Sequence, residues 1–465
     1  MKISNKIIST IAMAVFSTSA IAQGLNSAYF TQDYKYRHDM NPAFDNEQSY
    51  IAVPFLGNVN AKTLGTFGYK DVVLDNPLYP TSSDKKKTTF MNPYIDGALD
   101  GFRKGDNIMA VEGSVAILSA GFKGFKGYNT IELNSRSNVS TILPYELFEF
   151  ARNTGNKTYN IGDISLEAQS FVELAFGHSR DINSKLRVGG KLKVLFGIAN
   201  ATFDFKNVTA DLQSADEWTI SGDAQAHASM KGLTYTTRIK ENQTGTGTFE
   251  RITGVDVNGA GIGGIGLAID LGGVYKVNEN LTISAAVLDL GFIHWSNDMH
   301  AENKDKSFTF DGFHDVSVHS GGDNPIEHQF DEYNDQIVNF INLQDRGDDG
   351  GHTSGIGARI NVGAEYILPA YRKLSFGLLG SQKIDGKYSW TEGRLSANIA
   401  PLKWLDGGLS FALNTYTGSA GWILNIHPSK VNFFIGMDHI IGKFSKEFIP
   451  ISSNGSINVG FNVVW

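Results

Sequence analysis

The sequence predicts an all-β chain: a transmembrane antiparallel β-barrel of about 14 strands with an N-terminal plug segment and polar loop insertions. Three observations point there. Apolar and polar residues alternate with a period of two along many long segments, the chain opens on an export signal, and it closes on an amphipathic stretch ending at Trp465. Glycine, at 51 of 465 residues against 11 prolines, is enriched without the proline that accompanies disordered or collagenous chains. Cysteine is absent, which removes disulfide frameworks, thiolate metal sites and cysteine nucleophiles together. A net charge of −8 argues against a nucleic-acid-binding surface.

The N-terminus reads as a signal peptide over residues 1–22. Lys2 and Lys6 supply the positive start, residues 7–16 the apolar stretch, and Ala20-Ile21-Ala22 the small-residue site, with cleavage expected after Ala22. A buried or anchoring helix is the other reading, and the apolar stretch is short for it. Residues 23–49, rich in Tyr, Asp and Asn, form an N-terminal segment before the first strand.

Residues 50–465 are expected to build the barrel. Along residues 185–198 one parity carries Lys185, Arg187, Lys191 and Lys193, and the other Leu186, Val188, Leu192, Val194, Phe196 and Ile198. In a strand these sets point to opposite faces. The split recurs around Arg359, Asn361 and Glu365 opposite Ile360, Val362 and Tyr366. Several runs are longer than the ~5–6 residues usual for a sandwich strand, and a barrel turns the apolar parity to lipid and the polar one to a wet lumen. Candidate lumen-lining residues are therefore Arg187, Lys191, Lys193, Arg359, Glu365 and Arg394. Strands are expected near 50–56, 59–69, 108–119, 120–136, 164–180, 185–206, 262–277 and 281–295. The second half adds 355–368, 373–383, 387–400, 404–416, 420–427, 431–439 and 457–465. Trp295, Trp390, Trp404 and Trp422 fall near strand ends, where aromatic girdles belong. Short turns at 183–184, 278–280, 385–386 and 428–429 suit the periplasmic side. Insertions are expected near 207–258 and 297–354, with helical pieces at 144–152 and 332–343.

The last alternation, Ile457 to Trp465 by odd numbers, resembles the terminal signal read by the outer-membrane barrel-assembly machinery, with Phe461, Val463 and Trp465 as its outward residues. Segments such as Asn41-Pro42-Ala43-Phe44, Asn92-Pro93-Tyr94 and Ser389-Trp390-Thr391-Glu392-Gly393 resemble an uncharacterised outer-membrane barrel family of unknown function. More remotely the chain is similar to the FadL and PorV barrels, which carry an Asn-Pro-Ala motif before the first strand. The resemblance implies that Asn41, Pro42 and Ala43 sit where the N-terminal segment enters or plugs the barrel. The FadL likeness implies transport of hydrophobic molecules; the PorV likeness implies a role in secretion or surface attachment.

Signals for catalysis are weak. Gly261 to Gly266 spells G-x-G-x-x-G, but a strand pattern follows where a nucleotide site needs a helix. Residues 345–350 gather carboxylates without EF-hand spacing and read as a solvated acidic loop. His294, His300, His314, His319, His328 and His352 crowd one region without helical ligand spacing. No metal, cofactor or catalytic residue is assigned, and no enzyme activity is expected. The expected function is a passive outer-membrane channel or transporter for small or hydrophobic molecules, gated by the N-terminal segment or the 297–354 loop. The alternative is a non-conducting scaffold that docks a secreted or surface protein. Expected partners are membrane lipid, the assembly machinery and such a protein.

Overall fold

In the computed structural model, the described residues are 24–79, 86–153, 155–214, 217–241, 247–259, 261–312, 326–439 and 454–465. The signal peptide, His314 and His319 lie outside them. Fourteen wall positions close into one antiparallel barrel. The first is split into Tyr50–Ala52 and Val59–Gly65; both pieces pair with the same two neighbours, so the two segments expected separately form one position. Then come Asp106–Gly124, Gly127–Pro144, Thr158–Asp181, Leu186–Asp211, Gly264–Lys276 and Leu281–Trp295. The eighth is split into His352–Gly355 and Ala358–Ile367. Leu374–Ile384, Trp390–Leu402, Leu405–Asn414, Gly418–Ile426, Val431–Met437 and Gly455–Val464 complete the wall. Closure is direct, with Val59 opposite Val459 and Ile51 opposite Val463.

The alternation sets the faces. Along Gly264–Lys276, Leu267, Ile269 and Leu271 are exposed on the outside while Ala268 and Asp270 are buried inside. The same outward apolar row runs through Leu192, Phe292, Val362, Leu378, Leu395 and Leu409. An apolar band around a closed sheet faces hydrocarbon rather than a second sheet. Closure also leaves no unpaired backbone edge in lipid, the requirement for a strand-built span.

Two details differ from the sequence expectation. The boundary expected at 119–120 lies six residues later: Phe125 and Lys126 make the hairpin turn, both with positive φ (53° and 61°). Such a turn ordinarily advertises itself by Asn-Gly, which is absent here. A bulge at Asp289 (φ 57°) sits where the register with Gly264–Lys276 slips between Ile269 and Leu271. It switches the inward parity from Ser284, Ala286 and Leu288 to Asp289, Ile293 and Trp295. Trp295 therefore points into the barrel, as does Trp390, and neither belongs to a girdle.

Connections at one end are short, such as 125–126, 182–185, 277–280 and 403–404. The other end carries long ones, the asymmetry expected between periplasmic turns and outer loops. The 385–386 turn, expected among the periplasmic ones, lies at the long-loop end, because strand direction alternates. There Leu186–Asp211 continues upward and pairs with Trp218–Met230, which pairs with Met299–Phe310 and then Gln344–Asp348. A hairpin Leu233–Glu241/Thr248–Val257 and helices Tyr145–Arg152 and Ile326–Ile341 complete this outer extension.

Candidate functional site: a filled lumen

A barrel of eight strands can be filled by its own side chains, whereas sixteen or more leave an aqueous channel. Fourteen lies between, and here wall side chains share the interior with another segment. Residues 24–49 are that segment. Short turns at Asn26–Ala28 and Arg37–Asp39 fold this segment inside the wall at the short-turn half. Leu25, Ala28, Tyr29, Phe30, Tyr34, Tyr36, Met40, Ala43 and Phe44 form one buried cluster that, among the described residues, takes Tyr50, Val274, Leu379, Ile423, Phe434 and Val464 from the wall. The plug brings its own core.

Its polar edges meet the inward parity of the wall. Asp438, just past Val431–Met437, accepts the backbone N–H groups of Asn26 (3.1 Å) and Ser27 (2.7 Å), satisfying the first turn. Tyr29 shares a hydroxyl contact with Ser284 at 3.0 Å, and Tyr36 donates to Asn462 Oδ1 at 2.8 Å. Arg37 donates to the Tyr29 carbonyl and lies over the Phe44 ring.

Asn41, Pro42 and Ala43 lie inside the barrel. Asn41 Nδ2 donates to the carbonyls of Gly273 and Ala285, both at 3.3 Å, while its Oδ1 accepts from the Ala43 N–H at 2.9 Å. Two wall glycines make this contact possible. A Cβ on Gly189 would fall 2.1 Å from the Pro42 carbonyl oxygen, and one on Gly272 would fall 2.1 Å from Asn41 Oδ1. Asn361 Nδ2 adds a bond to the Met40 carbonyl at 2.8 Å.

The six candidate lining residues all point inward, but all except Arg187, at the rim, are buried rather than standing in water. Lys191 is buried and bonds Asp39 (2.7 Å) and Glu132 (2.6 Å), with His38 Nδ1 at 3.3 Å. Burial works against charge on Asp39, yet Lys191 and His38 hold its carboxyl well below the usual range. Lys193 lies between Asp289 (2.6 Å) and Asp270 (2.8 Å), and Arg136 bridges Asp289 to Glu173. Arg394 bonds Glu392, Ser410 and Ser27, linking wall to plug. Arg359 approaches Glu112, which Lys383 holds at 2.7 Å. Glu365 accepts from Ser375. Arg187 pairs with Asp181 and Asp45 at the rim. Except for Arg187, the charges expected to line a wet passage instead form dry networks, because the plug and opposing walls exclude solvent.

Sequence reading missed the partners Arg136, Asp270, Asp289 and Glu392, and the carboxylate Asp438. Asp270 was legible by parity; Asp289 was not, since only the bulge turns it inward. Above the charged layer, Phe171, Leu195, Ala268, Ile293, Trp295 and Ile356 form an apolar layer inside the lumen. A cavity of about 40 Å³ lies among Glu112, Arg136, Phe171, Arg359 and Lys383. That is room for water, not for a solute stream. Phe461, Val463 and Trp465 are exposed on the outer face, with Asn458, Asn462 and Val464 inward.

No curated protein matches the chain in sequence. Among solved structures it is similar to the Ralstonia pickettii toluene transporter TbuX, at 9% identity and TM-score 0.41, covering 96% of this chain and 94% of that one. It is similar also to the Pseudomonas putida toluene transporter TodX (8% identity, TM-score 0.38, 97% of each chain). A third is the translocator domain of autotransporter NalP from Neisseria meningitidis (9%, 0.33, 99% of each). The sequence profile of the family of unknown function DUF5723 matches residues 42–438, most of the chain, and the chain therefore belongs to that family.

Proposed function

We propose that the chain works in the outer membrane as a gated transporter for small or hydrophobic molecules, with residues 24–49 as the gate. The observation that carries this reading is the plug itself: a segment with its own apolar cluster, docked through replaceable hydrogen bonds and ion pairs in the short-turn half of the lumen. A free-diffusion pore does not fit the resting state, so passage requires the plug to shift. The hydrophobic side of the reading is supported by an apolar depression of about 700 Å³ in the wall, bordered by Tyr275, Ile283, Val362, Leu378, Gly380 and Gly393. At this level the wall is thin: Cβ atoms on Gly363 and Gly377 would collide with Tyr29 and Phe30 of the plug.

A second reading, a non-conducting scaffold, is favoured by the filled lumen and by the outer extension, which offers a folded surface for a protein partner. One cross-link separates them. Ser27 Oγ and Ser410 Oγ lie 3.0 Å apart, and the chain has no cysteine of its own. In proteoliposomes, S27C/S410C should pass a small dye when reduced, stop when oxidised and recover with reductant. Absence of dye efflux in both forms, with the plug seated, would overturn the transporter reading in favour of the scaffold.

A further inference from the structure

Histidines scattered through the sequence meet at the outer mouth. Pairing of Trp218–Met230 with Met299–Phe310 sets His227 directly across from His300. Their rings lie parallel, 4.4 Å apart. Each turns Nδ1 to a different carboxylate: His227 to Asp298 Oδ2 at 2.9 Å, His300 to Asp349 Oδ2 at 2.9 Å. The donor atoms of His227, Asp298 and Asp349 all lie within 4.8 Å of one another. A third imidazole, His352 of the wall, brings Nδ1 to 4.0 Å from Asp298 Oδ2.

The backbone holds this group in place. The Asp298 N–H donates to Asp348 Oδ1 at 2.7 Å, and the Asp349 N–H donates to the Asp298 carbonyl at 2.9 Å. Asp298 is buried and its Oδ1 makes no hydrogen bond among the described residues, while His300 Nε2 lies 3.5 Å from Glu302 Oε2. With neutral imidazoles the two carboxylates carry two negative charges, and among the described residues no ammonium or guanidinium pairs with either. Glu302, the next acid, is already held by Lys304 at 2.6 Å and Arg346 at 3.2 Å. Two carboxylates and two or three imidazoles in a half-buried recess call for a dication. Nitrogen donors select the zinc-like transition ions over Ca²⁺ and Mg²⁺, which prefer oxygen alone.

We propose that His227, His300, Asp298 and Asp349 form a divalent transition-metal site of the zinc class, with His352 as a supporting donor. The ligands come from two strands of the outer extension, the 296–298 connection between wall and extension, the loop before the eighth wall position and that wall position itself. A bound ion would therefore clamp the extension to the barrel rim.

The test uses full-length protein in detergent without a polyhistidine tag. Zn²⁺ titration calorimetry should give a single ion per chain, and Cu²⁺ should show coupling to imidazole nitrogen in its electron paramagnetic resonance spectrum. H227A/H300A should lose at least about 10–100-fold in Zn²⁺ affinity, the scale seen when a metal site loses its organising groups. D349N, at a half-exposed position, should weaken binding in the same direction, while H178A at the opposite end should leave it unchanged. Absence of Zn²⁺ binding to the unaltered chain, equal affinity in D349N, or Ca²⁺ binding as tightly as Zn²⁺ would each overturn the assignment.

Discussion

At the residue scale, pairing and dryness decide which charges matter. Lys193 is buried between two carboxylates, so Lys193→Met leaves buried Asp270 without its cation and Asp289 with Arg136 alone. Removing one partner of a buried pair costs about 3–5 kcal/mol. Urea unfolding in detergent should show that loss. Arg187 pairs with two exposed acids at the rim, and Arg187→Ala should cost about 1 kcal/mol or less in the same assay. Lys35, in the plug, is the opposite case. Its ammonium is buried and makes no hydrogen bond among the described residues, and burial lowers its pKa although Asp33, Asp406 and Glu47 offset part of the shift. Between that lowered value and the ordinary one of about 10.4, the unfolded chain holds more protons than the folded one, so stability rises with pH across this window. Lys35→Met should abolish the alkaline gain and leave neutral-pH stability equal or higher by about 1–3 kcal/mol. A pH series of unfolding curves on both proteins checks it.

At the element scale, the wall strands are specified by alternation, but their fit to the plug depends on where side chains are missing. Gly189 meets the Pro42 backbone so closely that a methyl group cannot be housed by rotating anything. Gly189→Ala should lower stability by about 1–3 kcal/mol, the usual cost of overpacking. It should also speed hydrogen exchange selectively in residues 37–44. Gly393 faces outward with nothing near its Cβ position, and Gly393→Ala should change stability by less than about 0.5 kcal/mol. The bulge at Asp289 is the other decisive element. It turns an acid into the charged layer and Trp295 into the apolar layer above it.

At the scale of the whole molecule, fourteen wall positions and one internal segment form a single object, since the plug buries the cluster that the wall leaves incomplete. Deleting residues 24–44 should therefore do two things. The barrel should conduct large, steady currents in planar bilayers, where the intact chain is silent or opens briefly. Its unfolding midpoint should also fall, because the plug's apolar surface no longer contributes. A truncated barrel that stays closed would mean the upper layer around Trp295 seals the lumen by itself.

Much of this was readable from the chain. Period-two alternation predicted a membrane barrel of about 14 strands, because side-chain direction in a strand is a local property that neighbours do not alter. Parity likewise sent Lys191, Lys193 and Arg394 to the interior. What those residues do once inside was not readable, since it rests on distant partners: Asp39 from the plug against Lys191, Asp289 from a bulge against Lys193, Ser27 from the plug against Arg394. Alternation along one strand says which way a side chain points, whereas pairing register and a single bulge decide what it meets. Only the folded barrel turned a row of charges expected in water into a dry, neutralised interior closed by the chain's own beginning.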